Sequence, residues 1–314
     1  MKVVFHSTAS AGLQTRFAGL ESQGLTISSC PETDHGRFNA LLTDADVIWH
    51  LLEPLTAAII GAAPRLRLIH KIGVGVNTID LEAAKRNHVA VCNMPGTNTQ
   101  AVAEMTVMLM LMALRRATQL DAETRAGKGW ELKVALQDGS GEISGRTVGL
   151  VGYGAVSRRL APILVAMGAR VLFTCRSKQP DVVGEPRTFN ELLTESDVVS
   201  LHIPLTAATD RVIDVDAIAR MKPGAVIINT ARGALIDECA LTAALRSGHV
   251  AAAGLDVFVT EPLPVDTPLL ALDNVVVTPH VAYLTRETME RSLSVAAENC
   301  RRLATDEDLL HRVV

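Results

Sequence analysis

The sequence predicts an α/β protein with two doubly wound parallel-sheet domains. Three observations carry that expectation. The chain has 314 residues, which suits two domains better than one. Short β-branched runs alternate with helical patterns along nearly all of it, as in parallel strands joined by crossover helices. The alternation breaks once, at a long apolar helical stretch followed by a polar segment, and then restarts.

In the first series, candidate strands fall at 2–7, 25–30, 47–50, 66–71 and 89–93, with helical patterns at 13–23, 56–62 and 80–87. Residues 99–116 read as one helix rich in Ala, Met and Leu. It is apolar on most sides, so it should be buried in the fold or against a second copy. Residues 121–145 are polar, contain glycine, and read as a connecting stretch. The second series has strands at 147–151, 170–175, 198–202, 225–229, 251–256 and 275–278. Six strands with helices between them match a dinucleotide-binding sheet. Residues 286–303 form a charged amphipathic helix, and Trp49 and Trp130 are expected as core anchors.

Composition narrows the function classes. The net charge is −4 without a long run of one sign, and aromatics make up 3%, so neither nucleic acid nor a membrane surface is an expected partner. The most apolar stretch, 105–114, is too short to cross a bilayer. The five cysteines (Cys30, Cys92, Cys175, Cys239 and Cys300) are odd in number and widely spaced, with no CxxC. A disulfide framework or a zinc site is therefore not expected. No two histidines have HxH or HxxxH spacing, and no metal is expected. Met1-Lys2-Val3-Val4-Phe5 reads as a strand and not as a signal peptide, so the expected setting is cytoplasmic.

The strand at 147–151 runs into Gly152-Tyr153-Gly154-Ala155-Val156-Ser157, which opens a helix. Gly152 suits a tight turn, and Gly154 lets backbone approach a pyrophosphate seated on the helix N-terminus. Ser157 stands where the fingerprint has its third glycine, and is small enough to keep the helix close to the strand. A carboxylate for the adenosine ribose is expected about 20 residues on. The chain has Cys175-Arg176-Ser177-Lys178 there instead, which favours NADP as cofactor while leaving NAD possible.

Three more stretches end candidate strands: Asn229-Thr230-Ala231-Arg232-Gly233, Asp256-Val257-Phe258-Val259-Thr260-Glu261-Pro262 and Thr278-Pro279-His280. Open α/β sheets bind ligands at that edge. Arginine presents a planar, always charged fork to a carboxylate. Histidine moves protons near neutral pH, and a carboxylate beside it stabilises and orients the imidazolium.

With these stretches, the chain resembles the D-isomer-specific 2-hydroxyacid dehydrogenase family, of the glyoxylate and hydroxypyruvate reductase kind, essentially from end to end. The other residues that carry the likeness are Gly73-Val74-Gly75-Val76-Asn77-Thr78-Ile79-Asp80, Val102-Ala103-Glu104, the glycine loop, His202-Ile203-Pro204-Leu205-Thr206 and Met221-Lys222-Pro223-Gly224. The resemblance implies that Arg232 binds the substrate carboxylate and carbonyl, that His280 is the acid/base and that Glu261 is its partner. It implies backbone donors to the carboxylate at Val74 and Gly75. It implies cofactor contacts from Gly152, Gly154, Ala155, Val156, Arg176, Ser177, Thr209, Thr230, Ala231 and Asp256.

In the same way it implies a Rossmann cofactor domain, 99–282, inserted into a flavodoxin-like substrate domain made of 1–98 and 283–314, with the active site in the cleft between them. The implied reaction is hydride transfer from NAD(P)H to a 2-oxo acid, giving a D-2-hydroxy acid, in a homodimer. Asn77, Ser157 and Cys175 depart from the family pattern, and nothing resembles the regulatory domain of the longer phosphoglycerate dehydrogenases. The alternatives are a phosphite-type dehydrogenase and a corepressor-like binding protein that senses the cofactor. A formate-type site is expected to lack the Glu–His pair.

Overall fold

The computed structural model describes residues 1–131, 134–177 and 180–314, with Ala135 described by its backbone. The chain divides into two units, one joining Met1–Asn98 to Thr285–Val314 and the other formed by Thr99–Leu284.

The first unit opens with β1 (Lys2–His6), α1 (Ala11–Glu21), β2 (Thr26–Ser29), α2 (His35–Leu42) and β3 (Val47–His50). It continues with α3 (Ala57–Gly61), β4 (Leu68–Lys71), α4 (Leu81–Arg86) and β5 (Ala90–Cys92). The strands pair in parallel in the order β2-β1-β3-β4-β5. Side chains alternate across the sheet, and both faces are buried. Val3, Phe5, Val47, Trp49 and Leu68 pack on one side with Phe17, and Val4, Ile48, Ile69 and Val91 on the other with Phe38, Leu42 and Ile60. Ser10, Asp34, Thr56 and Asp80 each cap a helix by accepting a backbone N–H from the first turn, a contact worth about 1 kcal/mol.

The second unit begins with α5 (Thr99–Arg115), α6 (Ala117–Arg125) and α7 (Val134–Gly139). Then come β6 (Thr147–Val151), α8 (Ala155–Ala166), β7 (Arg170–Thr174), β8 (Glu185–Pro186), α9 (Phe189–Glu195) and β9 (Val198–Leu201). It ends with α10 (Val215–Arg220), β10 (Ala225–Asn229), α11 (Glu238–Ser247), β11 (Val250–Leu255) and β12 (Val275–Val277). The parallel order is β12-β11-β10-β9-β6-β7-β8, with the reversal of winding between β9 and β6. After this unit, α12 (Arg286–Ala304) returns to the first, where Leu293, Ala296 and Cys300 are buried with Val3 and Trp49.

The sequence reading and the structure differ in four places. Helix α2 is additional. It is short and buries only Phe38 and Leu42, so it leaves a faint periodic signal. The polar stretch at 121–145 contains the end of α6 and all of α7. Helix α6 buries no side chain, so it has no apolar stripe to read. The two-residue β8 makes a seventh strand in the second sheet. Trp49 is fully buried as expected, but Trp130 is 95% exposed and anchors no core.

Candidate active site

Gly152 follows β6 with φ +96°, and a Cβ there would come within 2.6 Å of the His202 carbonyl oxygen. That carbonyl follows β9, so the turn lies where the sheet reverses its winding. Gly154 is the N-cap of α8 and supplies no side-chain cap, and the first turn holds no acidic residue. The first N–H groups of α8, at Ala155 and Val156, therefore have no partner within the helix, and uncapped helix N-termini of this kind favour anions. Ser157 is fully buried and donates to the Gly152 carbonyl at 2.7 Å, so the hydroxyl closes the loop where a third glycine was expected. Thr174, at the end of β7, accepts from Gly152 N–H at 3.1 Å. Cys175, Arg176 and Ser177 come next and are exposed, while Lys178 lies outside the described residues. Across the reversal, Thr209 braces an exposed turn by donating to the Pro204 carbonyl at 2.7 Å.

Arg232 sits just beyond β10. The Asn229 side chain is fully buried and braces that segment, accepting from Ala231 N–H at 3.0 Å and donating to the Arg232 carbonyl at 2.8 Å. The Thr230 hydroxyl meets that of Thr106 at 3.1 Å, and the Arg232 guanidinium donates to the Ala231 carbonyl at 2.6 Å. A Cβ on Gly233 would fall 1.9 Å from the Phe258 carbonyl carbon. Only glycine lets the Arg232 segment press against the loop that carries Glu261.

Glu261 and His280 meet directly, Nδ1 to Oε2, at 2.6 Å. The other Glu261 oxygen accepts from Phe258 N–H at 2.9 Å. The side chains are 31% and 18% exposed, and among the described residues His280 Nε2 has no partner. Burial works to raise the Glu261 carboxyl. The hydrogen bonds from His280 and Phe258, with the nearby charges of His280 and Arg232, win and hold it below the usual carboxylate range. Burial likewise lowers Arg232, opposed by Glu261, but a guanidinium remains a cation.

His280 has φ +54°, a left-handed conformation that costs a non-glycine residue about 1–2 kcal/mol. Asp256 offsets that cost. Its carbonyl accepts from His280 N–H at 2.8 Å. Its fully buried carboxylate accepts from the Thr278 hydroxyl at 2.6 Å and from the Val281 and Ala282 N–H groups at 2.9 Å. Asp256, expected against the cofactor, thus also holds the histidine turn. Tyr283 lies edge-on to His280, ring centroids 6.4 Å apart.

Arg232, Glu261 and His280 thus share one sheet edge of one unit. Asn229, Gly233 and Asp256 brace them, and of these bracing duties the sequence reading anticipated none. A buried polar residue closing a strand was the available signal. Val74 and Gly75 belong to the first unit, in the turn after β4. The Val74 carbonyl accepts from Asn93 at 2.9 Å, and among the described residues the two N–H groups have no partner. A cavity of about 260 Å³ lies elsewhere in the second unit, lined by Glu238, Cys239, Thr242, Arg246, Thr267 and Leu269 and by none of the trio.

Comparison with known proteins places this arrangement. Residues 107–282 match the family described as "D-isomer specific 2-hydroxyacid dehydrogenase, NAD binding domain". A glyoxylate reductase from Aeropyrum pernix is 40% identical over 264 residues, which are 82% of this chain and 79% of that one. A hydroxypyruvate reductase from Thermotoga maritima is 41% identical over 241 residues, 76% and 77% of the two chains. The crystal structure of the TT0316 protein from Thermus thermophilus superposes over the full length of both chains, with a TM-score of 0.91 and 35% identity. A helix N-terminus after a glycine turn, a Glu–His pair and an arginine on one sheet edge are thus explained by descent: the chain belongs to the D-isomer specific 2-hydroxyacid dehydrogenase family of nicotinamide-dependent oxidoreductases.

Proposed function

We propose that the protein reduces a small 2-oxo acid of the glyoxylate and hydroxypyruvate kind to the D-2-hydroxy acid, with NADPH as preferred reductant and NADH accepted. The 2.6 Å contact between Glu261 and His280, on the edge that also carries Arg232, supports this reading. The glycine loop suits a dinucleotide, with Ala155 and Val156 N–H groups facing the pyrophosphate beside Gly152 and Gly154. Thr209, Thr230 and Ala231 line its further course. When bound, the reduced nicotinamide supplies a hydride to C2 of the oxo acid. Arg232 holds the carboxylate and the carbonyl oxygen, fixing geometry before reaction. His280 Nε2 gives a proton to the carbonyl oxygen as charge builds there, and Glu261 on Nδ1 fixes the orientation of the ring. One 2-oxo acid, one NADPH and one proton give one hydroxy acid and NADP⁺.

The preference for NADPH rests on the end of β7, where Cys175 replaces a ribose-binding acid and Arg176 and Ser177 are exposed. A homodimer through α5 is part of the proposal. That helix buries Leu109, Met110 and Leu114 yet exposes Met108 by 39% and Leu111 by 36%. All five cysteines are free, which suits a cytoplasmic setting. The test is turnover of glyoxylate, hydroxypyruvate and phenylpyruvate with NADPH and NADH in parallel. Reduction of the smaller acids, faster with NADPH, is expected. Cofactor binding without turnover of any oxo acid would instead support the corepressor-like alternative.

A further inference from the structure

We propose that Glu238 is a positioning residue that keeps the Glu261–His280 pair in register with Arg232. The inference rests on the reading of that pair as the proton donor.

Glu238 opens α11, and its Oε1 accepts from Val259 N–H at 2.7 Å. The preceding amide, Phe258 N–H, donates to Glu261 at 2.9 Å. Two consecutive amides of one loop therefore meet two carboxylates. One belongs to the loop itself, and the other to the helix that leads away from Arg232. Beneath them, Gly233 presses on the Phe258 backbone.

The segment between Arg232 and Glu238 is fixed on its other side as well. Arg211 N–H donates to the Ala234 carbonyl at 2.8 Å, Ile213 N–H to Leu235 at 3.0 Å, and Asp237 N–H to Ile213 at 3.0 Å. The start of α11 is thus a fixed point, and Glu238 ties the Glu261 loop to it. The N-cap of α11 does not depend on this carboxylate, because Asp237 accepts from the Cys239 and Ala240 N–H groups at 3.0 Å. Glu238 also borders the 260 Å³ cavity, so truncating it opens no sealed void in the core.

The experiment compares Glu238→Gln, Glu238→Ala and Glu261→Gln with the parent protein in 2-oxo acid reduction across pH, with thermal midpoints measured alongside. Glu238→Gln keeps a carbonyl oxygen for Val259 N–H and should retain most activity. Glu238→Ala should lower kcat on the order of tenfold or more, since small misplacements of reacting groups are costly. It should leave KM for the cofactor unchanged and move the alkaline limb of the pH profile in the same direction as Glu261→Gln. The inference is overturned if Glu238→Ala keeps kcat and profile, if its loss follows only the folded fraction, or if Glu238→Gln is as impaired as Glu238→Ala. If Glu261→Gln itself leaves the profile in place, the proton-donor reading fails first. If Glu261→Gln moves it and Glu238→Ala does not, only the role of Glu238 is lost.

Discussion

Arg232 carries a charge that burial opposes and that Glu261 supports, so its removal should be felt in the reaction more than in the fold. Arg232→Ala should cost about 3–5 kcal/mol in kcat/KM through loss of a charged, forked partner. Arg232→Lys should also be poor, because a point charge cannot make two parallel hydrogen bonds. Near-normal kcat/KM in a folded Arg232→Ala protein would remove the arginine from the site. For the pair, His280→Ala should abolish most reduction while cofactor affinity stays close to normal. Glu261→Gln replaces the charged acceptor on His280 Nδ1 with a neutral one, so reduction should fall off at lower pH than in the parent. A profile that does not move would count against the pairing. At the end of β7, charge-assisted contacts from Arg176 to a 2′-phosphate should give NADPH an advantage of about tenfold or more in kcat/KM. Cys175→Asp combined with Arg176→Ala should swing the preference toward NADH, and equal values in the parent protein would make Arg176 an ordinary solvated residue.

Among the elements, the Arg232 segment and the Glu261 loop depend on one backbone contact. Gly233→Ala places a methyl group 1.9 Å from the Phe258 carbonyl carbon, so one strand-end segment must move. Overpacking of this kind costs about 1–3 kcal/mol of stability. The activity should suffer more, by about a hundredfold in kcat/KM, because both segments carry reacting groups. A folded Gly233→Ala protein with parent-like kcat/KM would show that the contact is not exacting. How far such features can be read from sequence depends on what produces the signal. Strands β3, β6 and β10 match their sequence-derived bounds, since largely buried runs rich in β-branched residues leave little choice. Helix α6 was invisible because it turns no apolar face inward. The glycine loop and the Arg, Glu and His stretches were legible as motifs at strand ends. The braces at Asn229, Asp256 and Glu238 were not, because a hydrogen bond between distant segments has no period along the chain. Trp130 was misread for a related reason: a large aromatic is usually buried, but nothing local shows whether a partner surface exists.

For the whole molecule, the first unit carries a pH dependence of its own. His6, His50 and His70 are buried there. Burial depresses His6 to about 4, with His35 adding to the effect. Burial also takes His70 to about 4, against a backbone hydrogen bond that pulls the other way. It pushes His50 well down, helped by the charges of Lys71 and His6. The folded state therefore prefers these rings neutral, and the unfolded chain protonates them near 6.5. Their contribution is fully present above that value and is lost as pH falls toward 4, at about 1.4 kcal/mol per pH unit for each ring. The thermal midpoint should drop between about pH 6.5 and 5, and a flat midpoint over that range would show that the rings titrate as in the open chain. The return of α12 has a different consequence, in the order of synthesis. The five strands of the first unit leave the ribosome early, yet Leu293, Ala296 and Cys300, which cover Val3 and Trp49, emerge after the whole second unit. The edge of β5 waits longer still, since Val91 N–H is met by the Val314 carbonyl and the Val91 carbonyl by Val313 N–H. During translation that apolar sheet face stays uncovered until α12 is made, after the second unit is complete. A chain truncated after residue 284 should accordingly yield a protease-resistant second unit and a protease-sensitive first one.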